Sequence, residues 1–290
     1  MKNHCKTEEF FSVTVELTLV KAMPYANNQG VRIHYEVEGD GTPLVLLHGL
    51  SDICEIWHIS GWVESLKKEY RLILIDVRGH GDSDKPHDSE AYAMRLLVND
   101  AVAVLDDLKI SKAHFLGYSM GGWIGFGIAK YSPQRFHSLI IGGMHPYARS
   151  NEPSIKWVNV YRNTFASDSL DASAKEALVK DWWGPTAAKM PHWRAYAQRV
   201  LPATDWEALT ALLSKDWGHG FDDVLPTMTM PVLLFDGEAD AFYPGVKECV
   251  KSIPNATFIS FPGLDHADII VRKDLVLPHI TKFLKKVGEP

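Results

Sequence analysis

The sequence predicts an α/β fold, built on a mostly parallel β-sheet with helices on both faces. Short apolar runs of strand length recur along the 290 residues. Several are continuous instead of alternating, as expected of strands that are covered on both sides. Longer segments with helical spacing lie between them; in residues 91–108, for example, the apolar side chains fall on one stripe. Alternating strands and helices favour a parallel sheet with right-handed crossovers.

Seven runs are predicted to be strands: residues 31–37, 44–47, 72–75, 114–116, 138–141, 232–235 and 257–261. The first two are joined by the short link Glu38-Gly39-Asp40-Gly41. A link of this length and composition is typical of a β-hairpin. We therefore expect these two strands to pair antiparallel at one edge of the sheet.

The alternation of strands and helices breaks between Tyr147 and Pro226. Six of the nine tryptophans lie in this stretch, on helix-like segments that prolines interrupt. We predict three parts of the chain: an N-terminal extension (1–24), an α/β core (25–146 and 227–290) and an inserted helical cap (147–226). Most of these tryptophans are expected to pack the small core of the cap itself. Trp157 and Trp183 are the candidates for lining a substrate pocket.

The charge balance points to a small-molecule partner. The chain has 30 Lys+Arg against 36 Asp+Glu, a formal net charge of −6, and it has no long basic run. Nucleic acids and anionic membrane surfaces both require clustered Lys and Arg, so neither is expected as the main partner. The sequence leaves open whether the protein is a monomer or a homodimer.

The cysteines and the N-terminal segment favour a cytoplasmic protein. Cys5, Cys54 and Cys249 are too few and too scattered for a disulfide framework or a close-spaced metal site, so they are expected to be reduced thiols. The apolar stretch of residues 10–20 contains Glu16 and is preceded by Glu8 and Glu9, whereas a signal peptide has a cationic segment followed by an unbroken apolar one. It is also too short and too polar to span a bilayer.

The strongest chemical signal is Gly117-Tyr118-Ser119-Met120-Gly121-Gly122, which follows a predicted strand and precedes a helix-like segment. A serine on so sharp a strand-to-helix turn needs small neighbours, which Gly117 and Gly121 supply. The turn directs the Ser119 hydroxyl toward the helix N-terminus, where free N–H groups can meet developing negative charge. We predict that Ser119 is a nucleophile; the alternative is a glycine-rich structural turn.

A serine nucleophile needs a base and an acid that orients the base, and in this architecture they follow the serine in the order acid, then histidine. His266 lies just past the last predicted strand and is the predicted base. The loop after strand 232–235 offers three carboxylates, of which Asp240 has the reach to approach an imidazole. Asp236 and Glu238 are expected to cap or satisfy the turn, and Asp265 is expected to be solvated.

Two backbone N–H groups are predicted to form the oxyanion hole. Strand 44–47 ends in the loop His48-Gly49-Leu50, which can bring the N–H of Leu50 to the oxyanion. The other donor is the N–H of Met120, directly after the nucleophile. His48 could be mistaken for a catalytic base, but we expect it to fix the loop by hydrogen bonds.

Residues 76–83, Asp-Val-Arg-Gly-His-Gly-Asp-Ser, also follow a predicted strand. The mixed charges raise the hypothesis of a metal or phosphate site. A solvated, internally hydrogen-bonded turn is favoured, because one histidine and carboxylates without a matching partner elsewhere make a poor ligand set. His145 follows strand 138–141, and its position fits a role in the pocket or a structural role equally well.

Together these segments resemble the α/β-hydrolase superfamily, in particular its small serine esterases, enol-lactonases and cofactor-free haloperoxidases. The resemblance runs from about Tyr25 to the C-terminus and rests on five motifs: His48-Gly49, Asp76-x-Arg78-Gly79-His80-Gly81-x-Ser83, Gly117-x-Ser119-x-Gly121-Gly122, Gly237-x-x-Asp240 and Gly263-x-x-His266. It implies a sheet of about eight strands, a cap inserted after the sixth, and the roles given above. Position 119 is Ser and not Asp, unlike haloalkane dehalogenases and epoxide hydrolases. Leu50 follows His48-Gly49, so the triple-glycine loop of hormone-sensitive-lipase-like esterases is missing.

The function expected from the sequence is that of a serine hydrolase, most simply a carboxylesterase. It would cleave esters of small to medium apolar acyl or aromatic groups through an acyl-enzyme intermediate, without a metal or an organic cofactor. Other enzymes with the same triad stay open as alternatives: a C–C bond hydrolase, a lactonase or a perhydrolase. An alternative of another class is a ligand-binding receptor on a hydrolase scaffold.

Overall fold

The computed structural model describes residues 24–148, 152–165, 189–215 and 220–288. Within them, one eight-stranded sheet has the strand order β1-β2-β4-β3-β5-β6-β7-β8. The strands are β1 (Tyr25–Asn28), β2 (Val31–Glu38), β3 (Thr42–Leu47), β4 (Tyr70–Ile75), β5 (Ala113–Tyr118), β6 (Phe136–Gly142), β7 (Val232–Gly237) and β8 (Ala256–Phe261). From β4 to β8 along the sheet all pairings are parallel, and the pairings of β2 are antiparallel.

The predicted fold class is confirmed, and all seven predicted strands occur within two residues of their expected ends. The central strands are buried at every position or nearly so, because helices cover the sheet on both sides. In β3, Leu46 lies opposite Leu74 of β4 and Leu116 of β5. The continuous apolar runs therefore carried the correct signal for a parallel sheet.

The predicted hairpin between the first two runs is wrong. β2 pairs antiparallel with β4 and with β1, while β3 lies inside the sheet between β4 and β5. The link between β2 and β3 passes across the chain that leads into β4: a Cβ on Gly41 would lie 2.0 Å from the carbonyl oxygen of Glu69. The glycines at 39 and 41 thus serve a close backbone crossing instead of a hairpin turn. The partner strand, β1, has only four residues and little apolar character, so no sequence pattern marked it.

The helices in the described residues are α1 (Ile56–Ile59), α2 (Trp62–Leu66), α3 (Met94–Asp107), α4 (Met120–Tyr131), α5 (Glu152–Phe165), α6 (Pro191–Ala203), α7 (Trp206–Ser214), α8 (Tyr243–Cys249), α9 (Asp268–Val271) and α10 (Lys273–Val287). Helices α3 and α4 pack against each other and against β1, β5 and β6, while α2 contacts β4 and α10. The helix predicted in residues 91–108 is α3, which begins after a short 3₁₀ turn at Ser89–Tyr92. No described helix is both long enough and apolar enough to cross a membrane.

The described part of the segment between β6 and β7 is helical. It holds α5, α6, α7 and a 3₁₀ helix at Asp222–Thr227, and its described residues 152–165 and 189–215 contain no strand. Trp193 and Trp206 are buried, as expected of tryptophans that pack the core of this segment. The boundaries 147–226 for a separate cap stay a prediction. Residues 1–23 of the predicted N-terminal extension lie outside the described residues.

The turn after β4 is internally hydrogen-bonded, as predicted, but it is not solvated. Asp76 and Arg78 are each only 1% exposed. The guanidinium of Arg78 donates to both carboxylate oxygens of Asp100 on α3, at 2.6 and 2.5 Å. This bidentate pair compensates the buried charge of the arginine. The prediction failed because Asp100 is 22 residues further along the chain and no local pattern connects it to Arg78.

Candidate active site

Ser119 occupies a strained turn between β5 and α4. Its backbone angles are φ 52° and ψ −113°, in the positive-φ region that residues with a side chain rarely adopt. Such strain costs roughly 1–3 kcal/mol and persists only where the surroundings enforce it. A Cβ on Gly117 would lie 2.3 Å from the carbonyl oxygen of Gly121, and a Cβ on Gly121 would lie 2.3 Å from that of Leu47. The two glycines are therefore required for the turn, as the sequence predicts.

The loop after β8 brings His266 to this serine. The Nε2 atom of His266 lies 2.9 Å from Ser119 Oγ. The Tyr118 hydroxyl donates a hydrogen bond to the backbone carbonyl of His266, so the residue before the serine also holds the histidine loop. Asp265 is not simply solvated: its Oδ1 accepts from the N–H groups of Ala267 and Asp268 and so fixes the chain just after the histidine.

The loop after β7 completes the chain of contacts with Asp240. Its Oδ2 atom lies 2.5 Å from His266 Nδ1, and its Oδ1 accepts from the backbone N–H of Phe242 at 2.9 Å. A carboxylate only accepts, so Nδ1 carries the proton and Nε2 is left to accept from the Ser119 hydroxyl. Burial raises the pKa of Asp240, but the hydrogen bond and the electrostatic interaction with His266, together with the Phe242 N–H, outweigh it and lower that pKa.

Asp236 has an unexpected environment for a turn residue. It is completely buried, and its Oδ1 accepts from the N–H of Gly237 at 2.8 Å, as expected of a residue that satisfies the turn. Burial, followed by the negative charge of Asp240 and a hydrogen bond with it, raises the pKa of Asp236 to about 9. Asp236 is thus a neutral acid beside an ionised one. Glu238, the third carboxylate of the loop, accepts from the hydroxyl of Ser260 on β8.

The loop after β3 is tied directly to the serine turn. The carbonyl oxygen of His48 accepts from Gly121 N–H at 3.1 Å, and a Cβ on Gly49 would lie 3.5 Å from Ser119 Cβ. The His48 ring is fully buried; its Nδ1 donates to the Gly49 carbonyl, and its Nε2 accepts from Val77 N–H. His48 therefore fixes the loop, as predicted, and has no free nitrogen for a proton transfer.

The two predicted oxyanion donors lie on either side of this junction. Leu50 directly follows the loop glycine that approaches the serine. Met120 is the first residue of α4, so its N–H has no acceptor within the helix. Both backbone positions are thus next to Ser119 in the fold, on separate segments that the bond between residues 48 and 121 holds together.

The three predicted pocket residues have different outcomes. His145 is half-buried; its ring packs at 5.8 Å against Phe242, whose ring in turn packs at 5.3 Å against His266. His145 is therefore separated from the histidine of the site by one aromatic ring. Trp157 lies on α5, and its side chain is outside the described part of the structure. Trp183 also lies outside the described residues.

Sequence reasoning missed two residues that hold the histidine. Tyr118 binds its backbone through the hydroxyl and places its ring 5.1 Å from the imidazole, while Phe242 packs on the imidazole edge to face. Both are near motifs that were recognised, one inside the serine turn and one just after Asp240. The identity of such a residue gives no sign of which group it will contact, so only their proximity to the motifs could have drawn attention to them.

The chain belongs to the α/β hydrolase fold family, which it matches over residues 42–273. The resemblance inferred from the sequence motifs is confirmed.

Among curated relatives, the chain is 36% identical to epoxide hydrolase 4 of Mus musculus over 116 residues, which are 39% of this chain and only 32% of that protein. The chain thus spans about a third of this relative's length. It is 30% identical to the pimeloyl-acyl-carrier-protein methyl ester esterase of Aeromonas hydrophila over 256 residues, which are 85% of this chain and 96% of that protein. The second match covers most of this chain and nearly all of that protein.

Among solved structures, the enol-lactonase from Burkholderia xenovorans LB400 superposes with a TM-score of 0.77 at 23% sequence identity. The match covers 90% of this chain and all of that one. At this identity the likeness shows a shared fold.

Proposed function

We propose that the protein is a serine hydrolase that cleaves carboxylic esters, a carboxylesterase. The observation that carries the proposal is the continuous chain of contacts from Ser119 Oγ through His266 to Asp240, with distances of 2.9 and 2.5 Å. A hydroxyl, an imidazole and a carboxylate in this order are the parts that activate a serine for acyl transfer. The full-length similarity to a methyl ester esterase supports the same reaction class.

In the proposed reaction His266 Nε2 takes the proton of Ser119 as its oxygen attacks the ester carbonyl. The N–H groups of Leu50 and Met120 hold the oxyanion that forms, and each such donor is worth roughly 2.7–4 kcal/mol in the transition state. The alcohol then leaves with the proton from His266. Water enters and hydrolyses the acyl-enzyme by the reverse proton path. Asp240 keeps the proton on Nδ1 throughout and stabilises the imidazolium.

The proposed substrates are esters of small to medium apolar acyl or aromatic groups. The support is the aromatic surroundings of the histidine: Tyr118 and Phe242 contact its ring, and His145 packs behind Phe242. Ligand sites are lined mainly by apolar and aromatic groups of this kind.

We also propose that residues 147–226 form a cap over the site. The support comes from α6, which contacts the segment just after the oxyanion loop. The Tyr196 hydroxyl accepts from Ile53 N–H at 3.2 Å and lies 3.4 Å from Asp52 Oδ1, and Arg199 forms an ion pair with Glu55. Movement of α6 would therefore shift the segment that follows the oxyanion loop.

Epoxide hydrolysis is the rival that the partial match to epoxide hydrolase 4 raises. The nucleophile argues against it. Attack of a serine oxygen on an epoxide carbon would form an ether. An ether has no carbonyl carbon for water to attack, so the enzyme would not be released. A carboxylate nucleophile would instead form an ester that can be hydrolysed, and position 119 is Ser.

The test is a substrate panel measured on the wild type, on Ser119→Ala and on Ser65→Ala, an exposed serine of α2 that serves as the matched control. The panel contains p-nitrophenyl esters from acetate to octanoate, lactones, vinylogous diketones and styrene oxide. We expect steady turnover of short and medium esters in the wild type and the control, and its loss in Ser119→Ala. Turnover of lactones or diketones but not of simple esters would assign the alternative hydrolase class. A single covalent turnover without a steady state would favour the receptor, and an unchanged rate in Ser119→Ala would refute the proposal.

A further inference from the structure

A cavity lies apart from the serine site. Its volume is about 220 Å³, and it is lined by β2, residues 51–55, the turn after β4 and the end of α6. Ser119 and His266 are not among its lining residues. The segment 51–55 directly follows the proposed oxyanion loop, so the cavity lies behind that loop. Nothing in the proposed ester cleavage uses it.

Three side chains with different ligand atoms meet at the wall of this cavity. The Nδ1 of His34, the Sγ of Cys54 and a carboxylate oxygen of Asp76 all lie within 4.8 Å of one another, and all three residues are buried. His34 Nδ1 lies 2.8 Å from Asp76 Oδ2, and the Cys54 N–H donates to Asp76 Oδ1 at 2.7 Å. The Cys54 thiol lies 3.4 Å from a Glu36 carboxylate oxygen. The possible ligand atoms of His34, Cys54 and Asp76 are therefore already close together, and the Cys54 thiol also contacts Glu36.

The charges around the cavity favour a cation. Among its described lining residues six are acidic and two, Lys85 and Arg199, are basic; the acidic ones are Glu36, Asp52, Glu55, Asp76, Asp82 and Asp205. Lys85 donates to the carbonyl oxygens of Gly81 and Ser83, and Arg199 pairs with Glu55. Acidic side chains therefore outnumber basic ones around the cavity.

A fourth wall residue provides a separate indication of a ligand. His80 is 3% exposed and lines the same cavity. Its Nδ1 lies 3.2 Å from the Arg78 carbonyl oxygen, which only accepts, so the proton is on Nδ1. Its Nε2 carries a lone pair and has no hydrogen-bond partner among the described residues. His80 is outside the group of three ligand atoms, so its unpartnered nitrogen belongs to the same cavity wall without being one of the proposed ligands.

We propose that this cavity binds a divalent transition-metal cation of the zinc type through Cys54 Sγ, His34 Nδ1 and the Asp76 carboxylate. A mixed sulfur, nitrogen and oxygen set suits zinc, which takes four ligands in a tetrahedron, whereas magnesium and calcium prefer oxygen alone. Glu36 or water completes the four. Binding displaces the thiol proton of Cys54, which leaves to solvent, and His34 binds as the neutral tautomer that carries its proton on Nε2, so that the Nδ1 lone pair faces the cation. The metal would join β2, β4 and the segment behind the oxyanion loop.

The sequence alone disfavours a metal at the turn after β4, because it shows no matching ligand partner elsewhere in the chain. The fold supplies that partner. His34 comes from 42 residues before Asp76 in the chain and Cys54 from 22 residues before it. The cluster is independent of the proposed ester cleavage, since none of its members touches Ser119, His266 or Asp240 in the contacts described above.

The experiment uses the full chain with Cys5→Ser and Cys249→Ser, so that Cys54 is the remaining thiol. Metal-free protein is titrated with Co²⁺, whose thiolate complexes absorb by charge transfer, and then with Zn²⁺, which displaces cobalt and removes the absorption. Calorimetric titration with Zn²⁺ gives affinity and stoichiometry. The same titrations are made on Cys54→Ser and His34→Gln, and on His137→Gln, a histidine on β6 outside the cavity. Near-ultraviolet circular dichroism of the metal-free proteins checks their folding.

We expect one Zn²⁺ per chain, a thiolate–cobalt absorption in the protein that retains Cys54, and no such absorption in Cys54→Ser. Zinc affinity should fall by at least about 100-fold in Cys54→Ser and His34→Gln, and stay unchanged in His137→Gln. Absence of the absorption in the Cys54-only protein would overturn the proposal, and so would an equal affinity in all variants. If both ligand variants fail to fold, the absorption of the Cys54-only protein decides alone. The ester panel is unaffected by either result, so the two proposals fail separately.

Discussion

The neutral state assigned to Asp236 makes a strong prediction for the substitution Asp236→Asn. Asp236 has no exposed surface, and apart from Asp240 its Oδ2 has no partner among the residues that the structure describes. Burial and the neighbouring Asp240 raise its pKa to about 9. Asparagine has nearly the same shape, is neutral at every pH and can still donate a hydrogen bond to Asp240. The substitution should therefore preserve the local structure and remove a titration.

The magnitude follows from the two pKa values of this one group. Its unfolded-state pKa is about 3.9. The folded-state pKa of Asp236 is higher than its unfolded-state pKa. The contribution of Asp236 to the free energy of unfolding is therefore complete below pH 4 and is lost as the pH rises toward 9. At pH 7, about 3 pH units above the unfolded-state value, the loss is as much as about 4 kcal/mol. A neutral asparagine side chain at this position would not suffer the loss. We expect the variant to match the wild type near pH 4 and to have the higher free energy of unfolding at pH 7.

The assay is urea unfolding, followed by tryptophan fluorescence, at intervals from pH 4 to pH 9. Glu238→Gln is the matched control, because it also removes a carboxylate from the same loop but on its exposed side. We expect the free energy of unfolding of wild type and control to fall with pH relative to Asp236→Asn. Parallel curves for all three proteins would refute a neutral Asp236, as would an Asp236→Asn variant that is less stable than the wild type at every pH.

Three further predictions concern activity and pH. Asp240→Asn should lower kcat roughly ten-thousand-fold, because the imidazole loses the partner that fixes its tautomer. Asp236→Asn should keep most of the ester turnover. The opposite pattern would show that the acid is misassigned. Tyr118→Phe removes the hydroxyl that binds the His266 carbonyl. It should cost about 1 kcal/mol of stability and lower kcat more than it changes KM, as urea unfolding and steady-state kinetics can show; a changed KM alone would contradict this role. Burial lowers the pKa of His114 to about 4 from 6.5. The contribution of His114 to the free energy of unfolding is therefore complete above pH 6.5 and is lost as the pH falls toward 4, by up to about 3 kcal/mol. His114→Gln should flatten that acid limb of the unfolding curve, and an unchanged limb would count against it.

Much of the fold could be predicted because its signals are local. The buried parallel strands are short continuous apolar runs, and the serine turn needs glycines at fixed offsets, so both are visible in a few consecutive residues. The order of serine, acid and histidine in the chain then limited the choice of partners. Asp240 could be favoured over Asp236 only because of its reach from the strand end.

What could not be predicted depends on residues far apart in the chain. The crossing of the link after β2 over the chain near Glu69 decides the strand order, and the motif there looks the same as a hairpin turn. The burial of Arg78 depends on Asp100 of α3. The neutral state of Asp236 depends on how closely the fold packs it against Asp240. In each case the deciding contact forms only when the chain is folded, so no pattern of neighbouring residues in the sequence indicates it.

The most direct test of the proposed serine chemistry is covalent labelling of the wild-type chain with a fluorophosphonate, read by intact mass and by peptide mapping. The account predicts one label per chain, located on Ser119, with none on Ser119→Ala and much slower labelling of His266→Ala. A wild-type chain that stays unlabelled, or a label on another residue that persists in Ser119→Ala, would contradict it.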